Sequence, residues 1–276
     1  GLLSVDEAVR NALACGADYG KEDFLFALAY QFSCPGKDLE DPALRGNLLR
    51  ACFGASHAAT QLQAPFVQGS QKTILGQTSK LHFVVQALAR ATKVAGIRSA
   101  DFKTPGDAVY LLGPGQFSLV GSLVAEVCGG EPEDAAVPSP QWDTARRLYS
   151  WLGGAIGKEQ KKLRSIHDIS DGGMMASIAE SCLARGFGVA LQYPDGLPRT
   201  GEWEFLFGEG FHGFVVSCSE IDAPLVEAEL QQNDLPFIRL GAVTGNGVVQ
   251  VRRGDSPALV IETKVLRQAW KREGYW

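Results

Sequence analysis

Arg164-Ser-Ile-His-Asp-Ile-Ser-Asp-Gly-Gly-Met-Met-Ala-Ser-Ile-Ala-Glu180 reads as a strand end, a tight acidic glycine turn and a helix start. Ser165 and Ile166 close a short extended run. Asp171 stands where an N-cap belongs, and Gly172 and Gly173 let the backbone turn sharply and let another group come close. From Met174 the apolar residues follow helical spacing: Met174, Ile178 and Cys182 fall on one line, with Met175 and Ala179 beside it. A helix that starts this way aims several free N–H groups at one spot, which suits an anion or a phosphate. His167, Asp168 and Asp171 share the same mouth. A capped turn in an α/β domain accounts for the same residues, because a cap of this kind contributes about 1 kcal/mol by itself.

Outward from this stretch the chain alternates helices and strands. Downstream, Val189–Gln192 and Gly213–Cys218 read as strands, Ile221–Gln232 as a helix, Phe237–Val243 and Gly247–Val251 as strands, and Lys264–Lys271 as a closing helix. Upstream, Asp143–Gly157 reads as a helix and Ala108–Leu112 as a strand. Phe102-Lys-Thr-Pro-Gly-Asp107 is a break, which places a boundary between residues 1–105 and 106–276. In the first part, Ser4-Val-Asp-Glu7 has the form of a capping box opening a helix that Gly16 ends. Phe24–Phe32 reads as a buried strand. Pro42–Gln63 reads as a helix with Leu44, Leu48, Cys52, Ala55 and Ala59 inside and His57 packed near its apolar face. Ala64–Val67 is a short strand running into a loop, Gln68-Gly-Ser-Gln-Lys-Thr73, whose hydroxyls, amides and lysine could hold a phosphate. Leu81–Val94 reads as a long strand. The whole is an α+β pattern, helices against a mixed sheet.

The 276 residues are 45% hydrophobic and 21% charged, with formal net charge −5, enough for a real core. The absence of a clustered basic block argues against nucleic acid or an anionic membrane as partner. The nearest thing to one, Lys158–Arg164, reads as a solvated helix end. No apolar run reaches the ~20 residues of a membrane helix, and no stretch reads as a signal peptide. The six cysteines show no CxxC spacing, and a reducing, cytoplasmic compartment is expected. The chain opens on Gly1 directly in a helical pattern, as expected of a piece of a longer chain.

His167-Asp-Ile-Ser-Asp-Gly-Gly173, followed by a helix carrying Glu180, resembles a signature of the phosphoribosylformylglycinamidine synthases. These are ATP-dependent enzymes of the aminoimidazole-ribonucleotide synthetase-like superfamily. Asp41-Pro-Ala-Leu44, Ala64-Pro-Phe-Val-Gln-Gly69, Asp101–Gly113, Phe207-Gly-Glu209, Ile238–Thr244 and Leu266–Trp270 follow the family order. The likeness is to the carboxy-terminal synthase half. It implies a two-subdomain fold, with a half-barrel sheet and helices in residues 1–105 and an α/β sandwich in residues 106–276. It also implies ammonia-dependent amidation of formylglycinamide ribonucleotide in the full enzyme, with ATP and magnesium. This half is expected to be auxiliary, with an amino-terminal synthase half and a glutaminase as partners. Half a barrel leaves open strand edges and an apolar face, so a homodimer of this chain is expected as well.

The resemblance implies nucleotide contacts at Gly69, Ser70, Lys72, Asp168, Ser170, Asp171, Gly172 and Gly173. It gives no catalytic residue and no metal ligand in this half. The chain departs from the family where an aspartate becomes Leu28, where an asparagine and a serine become Ser70 and Lys72, and where Leu119-Val-Gly-Ser-Leu123 ends without a carboxylate. Losing a carboxylate removes a hard oxygen ligand that magnesium prefers. Lys72 either offers a point charge to a phosphate or is a solvated loop lysine. His167 either bonds a phosphate or packs at a strand end. Glu209 stands at a ligand-contacting carboxylate of the family, without the residues that follow it there.

Overall fold

The computed structural model describes residues 1–20, 24–36, 40–74, 82–129, 137–157, 162–195 and 201–272. Leu81 and residues 158–161, which the sequence placed in a strand and a basic cluster, lie outside them. The chain divides into two compact units, Gly1–Ile97 with Tyr149–Lys158, and Arg98–Leu148 with Glu159–Trp276.

The first unit begins with α1 (Leu2–Ala14), whose Val5, Val9 and Leu13 are buried. The expected capping box is not formed: the helix starts earlier, with Gly1 as N-cap and no side-chain cap. The strands β1 (Phe26–Pro35), β2 (Phe66–Ile74) and β3 (His82–Ala89) make a sheet of order β2-β1-β3. Strand β1 runs parallel to β2 and antiparallel to β3. The parallel pair requires a crossover, and α2 (Pro42–Gln61) supplies it, capped by Asp41 Oδ1 on the Ala43 N–H at 2.7 Å. Only the second half of α2 is inside. Ala55, Ala58 and Ala59 are buried, whereas Leu44 and Cys52 of the expected inner line are exposed, and so is His57. Alanine lets α2 approach its neighbours closely, and Gly54 sits against Leu2 of α1.

One face of this sheet is aromatic. Phe32 and Phe83 stack with ring centroids 4.1 Å apart, and Tyr30 meets Phe66 edge to face at 5.2 Å. On the other face Val67, Val84 and Leu88 are 69%, 55% and 71% exposed. The first unit also buries an ionic trio. Asp6 and Arg10, one turn apart on α1 and both fully buried, pair at 2.9 Å, and the Tyr149 hydroxyl donates to Asp6 Oδ1. Tyr149→Phe keeps the ring and deletes the donor to a buried carboxylate. It is expected to lower stability by about 1–3 kcal/mol, read as a shift in the urea midpoint.

The second unit is built on a seven-stranded mixed sheet of order β12-β11-β7-β10-β4-β9-β6. In chain order these are β4 (Ala108–Leu112), β6 (Leu163–Asp168), β7 (Gly188–Gln192), β9 (Phe214–Cys218), β10 (Phe237–Thr244), β11 (Val248–Arg253) and β12 (Ser256–Glu262). Two short strands, β5 (Phe117–Ser118) and β8 (Glu209–Gly210), pair separately. Helices α3 (Leu123–Cys128), α4 (Trp142–Gly157), α5 (Gly173–Leu183), α6 (Glu202–Phe207), α7 (Ala223–Gln232) and α8 (Thr263–Arg272) complete the chain order, α4 from Tyr149 onward belonging to the first unit. Strands β4 and β9 are buried at every position, as central strands covered on both faces must be. Met174, Ile178 and Cys182 of α5 pack with Phe205 and Leu206 of α6 over Val109, Leu111, Val189, Leu191 and Val215. Lys162 and Arg164 do not solvate a helix end. They open β6 and pair with Asp222 at 2.6 Å and Asp107 at 2.7 Å.

Candidate functional site

The turn after β6 is organised differently from the sequence expectation. Asp171 is exposed and does not cap α5. Gly172 is the N-cap, in the left-handed region at φ 78°, with Gly173 at φ 70°. The turn closes through the Gly173 N–H on the Ser170 carbonyl at 2.9 Å. Two left-handed residues in succession cost a side-chain-bearing residue about 1–2 kcal/mol each, which is why both are glycine. A carboxylate does reach the start of α5, from far along the chain. Glu209 Oε1 accepts the Gly172 N–H at 2.9 Å and the Leu123 N–H, at the start of α3, at 2.8 Å. Burial pushes the Glu209 carboxyl above its ordinary value and outweighs the two N–H donors; the Asp171 charge adds to the rise. Ser122 caps α3 by accepting the Ala125 N–H at 3.2 Å and donates to the Leu119 carbonyl at 2.7 Å. The helix starts on β5–α3 and on β6–α5 are thus joined by one side chain from β8. Sequence reading found Glu209 but not this bridge, since no local spacing links residues 123, 172 and 209.

His167 and Asp168 are committed as well. His167 Nε2 lies 2.9 Å from Glu180 Oε2, and Nδ1 lies 2.8 Å from the Asp168 carbonyl and 3.6 Å from its Oδ1. The Asp168 side chain is buried, and its carbonyl also accepts the Ser177 hydroxyl at 2.8 Å. Burial alone would depress the imidazole, but its bonds to Asp168 and Glu180 raise it from 6.5 to about 9. The folded value lies above the unfolded one. The stability it contributes is therefore full below pH 6.5 and is lost as pH rises toward 9. Urea midpoints measured across that window should fall in the parent chain, and His167→Gln should remove most of the fall.

Gly69, Ser70 and Lys72 belong to the other unit, and the loop expected there is a strand. All three lie in β2, paired in parallel with Tyr30, Gln31 and Ser33 of β1. Backbone pairing with β1 holds this polar run extended, although it carries no apolar alternation. Gly69 is required by packing: a Cβ there would come within 2.2 Å of Cζ of the Tyr30 ring. Ser70 and Lys72 are exposed.

ATP and magnesium can be tested against these groups. The N–H pair of Leu123 and Gly172 already holds a carboxylate, and His167 is bound on both nitrogens. As they stand, these donors do not fit a phosphate. Among the described residues, no group of three or more His, Cys, Asp or Glu is placed to hold a metal ion, and no helix is long and apolar enough to cross a membrane.

A seven-stranded mixed sheet with its helices in one unit, and a three-stranded sheet with helices in the other, define an α+β fold. Residues 104–254 match the family described as AIR synthase related protein, C-terminal domain, and the chain belongs to that family. It is 30% identical over 284 residues to the phosphoribosylformylglycinamidine synthase subunit PurL of Rhodopseudomonas palustris, covering 98% of this chain and 34% of that protein. It is 28% identical over 280 residues to the same subunit of Methylocella silvestris, covering 98% and 35%. The chain therefore spans about a third of the length of the curated relatives it matches, and is of the PurL type, corresponding to a synthase half. Among solved structures it is similar to T. maritima PurL complexed with FGAR, with TM-score 0.71, 14% identity and coverage of 96% of this chain and 43% of that one. The hydrogenase maturation protein HypE gives TM-score 0.68 at 16% identity, covering 95% and 82%. At these identities the likeness is one of fold.

Proposed function

We propose that the chain is an auxiliary half of a cytoplasmic phosphoribosylformylglycinamidine synthase, the ATP-dependent ligase that amidates formylglycinamide ribonucleotide with ammonia. It makes no product alone. The observation that carries this reading is the Glu209 carboxylate seated on the Leu123 and Gly172 N–H groups. Donors that would otherwise meet a phosphate are closed by an internal anion, so ATP chemistry belongs to a partner. The partners are an amino-terminal synthase half and a glutaminase. The open face of the β2-β1-β3 sheet, with Val67, Val84 and Leu88 exposed, is the surface that such a partner, or a second copy of this chain, covers.

The test is an assay of ATP-dependent FGAR amidation with ammonia. The chain alone should give no product and bind no ADP at micromolar concentrations. Addition of a catalytic amino-terminal synthase half should give product, and without that half the chain should sediment as a dimer. Turnover by the chain alone would overturn the auxiliary role. A stable complex without turnover would favour a second reading, a non-catalytic scaffold homologue whose nucleotide site has closed. The substitutions at Leu28, Ser70, Lys72 and Leu123 and the seated Glu209 all agree with that reading.

A further inference from the structure

The second unit contains a recess of about 440 Å³ that plays no part in the site above. It is lined by two glycine turns, at Gly186 between α5 and β7 and at Gly247 between β10 and β11, and by one side of α8. Both glycines are left-handed, at φ 69° and 68°. A Cβ at Gly186 would stand 3.5 Å from Arg267 Nη2, an ordinary contact that places the guanidinium directly over the turn. Lys264, Arg267 and Lys271 recur at helical spacing and face the same recess. Arg267 is held in place by donating from Nη2 to the Leu183 carbonyl, which leaves the rest of its fork available. Lys264 is paired with Glu262 at 2.5 Å, and Lys271 makes no ion pair among the described residues. Three cations and one carboxylate leave a formal surplus of two positive charges, on a chain whose net charge is −5. The three basic residues lie beyond residue 254, where the family match ends.

We propose that this recess binds a small, multiply charged phosphate anion through the Arg267 guanidinium and the Lys264 and Lys271 ammonium groups. A planar guanidinium presents paired donors to phosphate oxygens, and lysines add mobile point charges. A singly charged anion would only compete with Glu262 for Lys264, whereas a multiply charged one can engage all three cations. The concave shape and volume suit a small molecule.

Titration calorimetry of the 276-residue chain with pyrophosphate at low salt should show saturable binding of one equivalent, tighter than about 1 mM. The surface double variant Lys264→Glu/Lys271→Glu should weaken it at least about tenfold, which is ~1.4 kcal/mol, with the thermal midpoint unchanged. Inorganic phosphate and ribose 5-phosphate distinguish a free anion from a phosphorylated metabolite as the natural source. Either preference supports the recess, provided that the double variant weakens both. Non-saturable binding of pyrophosphate, or equal affinity in the double variant, would overturn the proposal.

Discussion

Glu209→Ala is expected to destabilise the chain by about 2–3 kcal/mol, whereas Glu209→Gln should cost little. Alanine leaves two N–H groups without their acceptor. That of Gly172 is buried and has no water to turn to, while that of exposed Leu123 can be hydrated. Glutamine keeps a carbonyl oxygen that can accept both. Because burial raises the folded carboxyl above 4.5, the native state holds its proton more tightly than the unfolded chain. Stability from this group therefore falls as pH rises above 4.5 toward the folded value. Glutamine has no such proton to lose, so its urea midpoint should be flatter with pH and at least equal to the parent's at neutral pH. If Glu209→Gln proved as damaging as Glu209→Ala, the negative charge rather than the N–H pairing would be holding the two helix starts.

Gly173→Ala should be more severe still, about 3–4 kcal/mol. The residue sits at φ 70°, and a Cβ there would lie 2.5 Å from the Phe207 carbonyl carbon and 2.7 Å from the Gly208 oxygen. Both contacts are backbone, so no side chain can swing aside. The backbone that must move is the end of α6, which leads directly into Glu209. Gly172→Ala is the control. Its φ of 78° carries the same left-handed strain, but its Cβ would meet side-chain atoms alone, the Ala176 Cβ at 2.9 Å and the Leu123 Cδ2 at 3.9 Å. A loss of about 1–2 kcal/mol is expected there. Equal urea midpoints for the two variants would show that backbone crowding at Gly173 does not matter.

Much of the second unit was legible in the sequence because its elements carry their signals locally. Met174, Ile178 and Cys182 mark α5 by spacing alone, and the near-continuous apolar runs of β4 and β9, broken only by Ser217, match burial on both faces. Two of the misreadings share one cause: the deciding partner is distant. Gln68–Thr73 is polar and looked like a loop, but β1 supplies the parallel backbone partner that makes it a strand. Strand β12 escaped notice because it is an edge whose residues are largely exposed. Asp171 had the right chemistry for a cap and the right place in sequence, yet a carboxylate 37 residues on from Gly172 performs the task. Periodicity placed only the second half of the inner face of α2. Ala55 and Ala59 of the expected line pack, whereas Leu44 and Cys52, spaced on the same line, are exposed.

The buried bond between Tyr149 and Asp6 joins residues 143 positions apart, with the whole of Arg98–Leu148 between the two segments of the first unit. On a ribosome, Asp6 and Arg10 are made long before the hydroxyl that completes their trio. The first unit therefore finishes folding only after part of the second has been synthesised. For protease mapping or subcloning, no single cut releases the first unit whole. A fragment ending near residue 97 carries an ionic pair without its third member, and recovering a complete unit requires residues 149–158 to be supplied in trans or spliced back.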